Sequence, residues 1–342
     1  MHRSSLQQVK QFGARHRVCL ASCTVRVNPV QRAATALVVL MTLPHIAWAH
    51  TGRAPEPHDL WRAWTFAPLV VTVLALSIWW YARGTRTLWR HAGDGRGIAT
   101  WRAACFGAGS VVVALALLSP IDAVGSALFS VHMTQHMLLV VVAAPLLALG
   151  DPVTAMLWAL RTNSRRRLGL AWRRRLVPRA VWRTLRSPLV AWTLHVGALW
   201  AWHVPRLYDA ALRDERVHVL EHATFFLTAL LFWSLVADRR PRHRLGPGAA
   251  TLYLFAAGLQ CTLLGALLTI ARHPWYVAHY GTTTAWGLTP LEDQQVAGLI
   301  MWIPAGLAYL VALVPIVLPV LRTPPQWETS PTAAGVSARG TP

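Results

Sequence analysis

Seven apolar stretches alternate with short polar segments along the 342 residues, at about 64–82, 103–119, 128–149, 187–204, 217–236, 249–271 and 295–318. A helix needs about 20 such residues to cross a hydrocarbon core ~30 Å thick. In lipid a lone span can satisfy its backbone only as a helix. The pattern therefore predicts an all-α membrane protein, a bundle of seven transmembrane helices. Before them, residues 1–32 are polar and basic, Ala33–Trp48 is apolar, and Ala47-Trp48-Ala49 has the small-x-small form of a cleavage site. This reads as an N-terminal signal peptide, whose removal would leave His50 first, or as an anchor helix. Three regions follow: a basic leader with signal or anchor over 1–49, a seven-span membrane domain over 50–322, and a tail over 323–342. The tail is rich in Pro, Thr, Ser, Ala and Gly and is expected to be disordered and cytoplasmic.

Only 13% of the residues are charged and 54% are hydrophobic, where a soluble domain carries roughly a quarter charged residues. The net charge of +20 raises the question of nucleic acid. The arginines, however, sit in short loops between spans rather than on a folded basic face interleaved with aromatics, so no nucleic-acid partner is expected. They mark topology instead. Twenty-one arginines fall in 83–102, 150–186, 237–248 and the segment after 318, against six in the alternate segments. By the positive-inside bias this puts the amino end of the bundle outside and the carboxyl end in the cytoplasm. Tryptophans near span ends, among them Trp61, Trp79, Trp200, Trp275 and Trp302, fit an interfacial belt. The lipid bilayer is therefore one expected partner.

With that orientation, ten of the fifteen histidines lie outside or in the outer halves of helices: His50, His58, His132, His136, His195, His203, His218, His222, His273 and His279. His132/His136 and His218/His222 are i,i+4 pairs, so each pair shares one helix face. Three consecutive spans each bring histidine to one membrane face, and consecutive spans are usually neighbours. Imidazoles converging there would form a metal site. In His132-Met133-Thr134-Gln135-His136-Met137, the thioethers of Met133 and Met137 would bias such a site towards Cu(I), whereas imidazole alone suits copper, zinc or iron.

His218-Val219-Leu220-Glu221-His222 also has the H-x-x-E-H form of inverted zinc proteases. One alternative is therefore a membrane zinc hydrolase using His218, Glu221 and His222; the other reading gives Glu221 an accessory task beside the ligands. His195 lies roughly 12 Å deeper than His203 on the same span. It is either a neutral histidine bonded within the bundle or a way station for a metal or proton, and a haem-binding membrane cytochrome using it is a further alternative. Asp122 and Asp209 are accessory oxygen donors, Asp209 with a salt bridge to Arg206 or Arg213 as its plain reading. Gln260 is expected to tie helices together, Glu292-Asp293 to cap the last span, and His273 and His279 to be ordinary loop histidines.

The segments His132–Met137 with Pro145 and Gly150-Asp151-Pro152, WAWHVPRLYDAAL at 200–212, HVLEHATFFLTALLFW at 218–233 and QQVAGLIMWIPAG at 294–306 together carry a resemblance. WRAWTFAPLV from Trp61 and Tyr81-Ala82-Arg83-Gly84 extend it. Over about 50–320 the chain resembles the polytopic CtaG family of cytochrome c oxidase assembly factors, linked to caa-type oxidases. The resemblance implies a non-enzymatic plasma-membrane protein that matures a haem–copper oxidase, with an oxidase subunit as partner and copper as the metal delivered. It places the family's motif histidines on His132, His136, His203, His218 and His222, with Asp122 and Asp209 beside them.

Overall fold

The computed structural model describes residues 55–174, 176–240 and 245–322. The expected leader over 1–49 and tail over 323–342 lie outside the described residues. Within them the regular structure is helical, and the order is set by proline. A 3-10 turn, Pro57–Arg62, leads to α1 (Pro68–Ala92), α2 (Thr100–Leu118), a short α3 (Pro120–Gly125) and α4 (Phe129–Leu149). Then come α5 (Pro152–Trp158), α6 (Thr162–Arg174), α7 (Leu176–Leu185), α8 (Pro188–Trp202), α9 (Pro205–Arg213), α10 (Glu215–Val236), α11 (Pro247–Ile270) and α12 (Pro290–Arg322). Pro68, Pro120, Pro152, Pro188, Pro205 and Pro247 each stand in the first turn of a helix. A missing N–H has no consequence there and the fixed φ favours the start.

Among the described residues, five helices are long and apolar enough to cross a membrane: α2, α4, α10, α11 and α12. Two of the seven expected spans fall short of that mark. α8 has 15 residues, only about 22 Å at 1.5 Å per residue, because Pro205 restarts the chain as α9. α1 is long enough at 25 residues but runs past its expected end through Arg83, Arg86 and Arg90, which dilute its apolar face. A second difference lies in the arginine-rich segment expected as a loop. It folds as α5, α6 and α7, and no described residue of α6 is buried.

α4 is the most enclosed of the five, with 67% of its apolar window buried, and α2, α10 and α12 all pack on it. Its middle, Leu138–Ala143, is a π-helical turn, and Ala144 N–H bonds back to Leu139 C=O. Pro145 accounts for this: its ring clashes with the carbonyl one turn earlier and it offers no N–H, so the helix widens. The loosened Val140 carbonyl accepts from Trp233 Nε1 of α10 at 2.9 Å. α11 and α12 lie closest together. A Cβ on Gly298 would meet Gly265 O at 2.6 Å, so only glycine allows this approach. The main apolar core joins α4, α8, α10, α11 and α12 around Phe129, Phe225, Phe232, Leu254 and Met301.

Candidate metal centre

The first two turns of α4 and α10 carry the site. α4 starts at Phe129 because Asp293, from the first turn of α12, caps it. The buried carboxylate accepts Phe129 N–H at 2.7 Å, Ser130 N–H at 3.1 Å and the Ser130 hydroxyl at 2.5 Å. Asp293 was expected to cap its own helix, but Glu292 does that, accepting Thr289 N–H and Oγ1, each at 2.8 Å. α10 starts where Asp214 accepts Arg216 N–H at 2.8 Å. Each cap fixes the rotation of a helix whose next turn bears histidine.

These rotations turn His132, His136, Glu221 and His222 inward. One ligand atom from each lies within 4.8 Å of all the others. His132 Nε2 and His136 Nε2 are 2.8 Å apart. Glu221 reaches between them, with Oε2 3.6 Å from His132 Nε2 and Oε1 3.8 Å from His136 Nε2. The His222 ring stands 5.0 Å from that of His136, and His218 adds a fifth group, its ring 4.3 Å from His222 and 5.7 Å from His132. His132, His136 and Glu221 are each 1% exposed, while His218 and His222 are half-buried and form the accessible side.

The donor chemistry suits a cation. Glu221 Oε2, His136 Nδ1, His218 Nε2, His222 Nε2 and His203 Nε2 are buried without hydrogen-bond partners, a condition that buried polar atoms rarely tolerate. His203 donates from Nδ1 to Leu199 C=O at 2.7 Å, so its Nε2 carries a lone pair, the arrangement common in ligating histidines. Its ring touches Phe225 rather than the four-residue cluster. Met133 is packed in the apolar core. Met137 lines a small cavity with His136, His195, His203 and Cys261. That cavity measures about 10 Å³, space for roughly one water.

The other expected residues serve as supports. Asp122 accepts Gln135 Nε2 at 2.8 Å and Thr65 Oγ1 at 3.2 Å, holding α4 to the chain before α1. Asp209 stands 3.9 Å from exposed Arg213, an i,i+4 pair. His195 is buried 3.5 Å from Thr228 Oγ1, beside Phe232. Gln260 ties helices together as expected, accepting Trp200 Nε1 at 3.1 Å.

His279 is not an exposed loop histidine: it is 2% exposed. Its Nδ1 faces Ala127 C=O at 3.3 Å and must donate, so Nε2 accepts from Tyr208 OH at 2.7 Å. Burial lowers the pKa of its imidazole to about 4 and pushes the Tyr208 phenol well above its ordinary value, so both groups stay neutral. The Tyr208 ring meets His132 edge-on at 5.2 Å. Tyr276 donates to His203 C=O at 3.1 Å, so the segment between α11 and α12 roofs the histidines. A lone tyrosine in WAWHVPRLYDAAL and a loop histidine carry no spacing signal, which is why sequence reasoning passed over them.

Residues 79–323 match the family model described as cytochrome c oxidase caa3 assembly factor. Uncharacterised proteins of Mycobacterium bovis and Mycobacterium tuberculosis are each 28% identical over 284 residues, covering 80% of this chain and 41% of the relative. One from Mycobacterium leprae is 28% identical over 271 residues, covering 76% and 40%. The chain thus spans about two fifths of the length of these curated relatives. No solved structure matches it significantly.

Proposed function

The chain belongs to the cytochrome c oxidase caa3 assembly factor family, and we propose that it assists copper delivery to the oxidase through the histidine cluster of α4 and α10. One observation carries the reading: three imidazoles and one carboxylate from two capped helices lie within a single ligand sphere. In this reading the seven expected apolar segments all lie in the bilayer, α1 and α8 completed by their neighbours, with the cluster on the outer side and the chain's end in the cytoplasm.

Copper enters here as cargo. His132, His136 and His222 supply neutral nitrogen donors, and Glu221 offsets one unit of the ion's charge, without which burial in a low-dielectric site would be very unfavourable. Half-buried His218 and His222 receive the ion from the exterior, and His203 and Met137 adjoin the inner side. No thiolate joins the set, and exchangeable imidazoles suit an ion that must leave again. In the metal-free site one ring of the His132–His136 pair donates its Nε2–H to the other at 2.8 Å, so the empty site needs no large rearrangement.

Zinc would fit the same donors, and competition between the two ions discriminates them. A hydrolytic centre is disfavoured because Glu221, 1% exposed, points between His132 and His136 rather than to an open face. A haem is disfavoured because the cavity beside His195 has room for about one water. The test is to delete the gene and measure the copper and haem of the oxidase separately. Copper lost with haem retained supports delivery; a fully metallated oxidase overturns it.

A further inference from the structure

α1 and α2 leave a groove of about 500 Å³ open to the surroundings and lined by none of the histidines. Leu74, Ile78, Phe106 and Val111 make its walls apolar, and Arg86 stands about one turn short of Trp89, which lines its far end. Arg86 follows Leu74 by twelve residues, so the groove runs about 18 Å along α1 before it meets the charge. That is close to the depth of one leaflet, half of a ~30 Å core. None of the ion pairs among the described residues uses Arg86. A leaflet-deep apolar slot with an unpaired cation near its end has the polarity of one lipid molecule, and basic pockets between spans on the arginine-rich side are where anionic head groups bind.

We propose that this groove binds one anionic phospholipid, its acyl chain along Leu74 and Ile78 and its phosphate at Arg86. The site is separate from the metal centre and does not depend on it.

Native mass spectrometry of the full chain in detergent, with phosphatidylglycerol and phosphatidylcholine of identical acyl chains, tests this. One tightly held phosphatidylglycerol per chain is expected, preferred about fivefold, which is what one arginine near a membrane surface supplies. Arg86→Gln should abolish the preference. Gly107→Phe should displace both lipids, since a Cβ there meets nothing within 4 Å and the ring can enter the groove; Ala114→Phe serves if that variant fails to fold. Equal binding of the two lipids by the parent protein, a preference that survives Arg86→Gln, or undiminished binding in both groove-filling variants would each overturn the proposal. The last result would leave the groove to a helix of another protein.

Discussion

Replacing Asp293 with alanine tests how the fold builds the site. The carboxylate is fully buried and accepts three hydrogen bonds from Phe129 and Ser130. Its removal leaves two backbone N–H groups and a hydroxyl enclosed without partners, each worth about 1–3 kcal/mol. Relaxation of the first turn recovers part of this, so a net loss of roughly 3 kcal/mol is expected. At about 2–4 °C per kcal/mol for a domain of this order of size, the midpoint of thermal unfolding should fall by roughly 6–12 °C. Asp293→Asn keeps one acceptor and should lose about half as much. Glu292→Gln, one residue away and exposed, should shift the midpoint by less than about 2 °C. The assay is thermal unfolding of the detergent-solubilised protein, followed by helical circular dichroism. Because His132 lies on the capped turn, the alanine variant should also bind copper more weakly at temperatures where it remains folded. An Asp293→Ala protein that melts with the parent would refute the claim that this carboxylate sets the start of α4.

Three further predictions follow from the same structure. Glu221→Gln should weaken copper binding tenfold or more in a chelator competition while leaving the metal-free protein at least as stable, since an uncompensated buried carboxylate is removed; unchanged affinity would exclude Glu221 as a ligand. For His279, the pKa of about 4 in the folded protein lies below the ordinary 6.5, so the unfolded chain binds the extra proton. Its stabilisation is full above pH 6.5 and is lost as pH falls towards 4, by on the order of 3 kcal/mol. His279→Gln should flatten the melting temperature over that window, and a slope equal to the parent's would contradict the assignment. Gly298→Ala would put a Cβ 2.6 Å from the backbone oxygen of Gly265 and against Thr269 Oγ1, so thermal unfolding should show a loss of roughly 1–3 kcal/mol.

The helix-sharing pairs His132/His136 and His218/His222 were legible because i,i+4 spacing reports a common face whatever the tertiary structure. Glu221 was visible but its task was not. Its place between two rings of another helix depends on the rotation of α4, which Asp293 sets from 164 residues away. The same limit hid Tyr208 and His279, whose hydrogen bond joins residues 71 apart. Span lengths failed in a different way. Hydropathy averages over α8 and α1 could not register that Pro205 ends one early or that helix α1 continues through Arg83–Arg90. The arginine run of 161–186 read as a loop and concealed helices, because charge says little about backbone when arginine is itself a good helix former.

The central claim is that one copper ion sits among His132, His136, His222 and Glu221. Copper-edge X-ray absorption of the full chain loaded with one equivalent tests it most directly. The account predicts scattering from imidazole rings on three histidines in the parent protein, lost in a His136→Ala/His222→Ala double variant. A spectrum without imidazole scattering, or one unchanged by the double substitution, would contradict it.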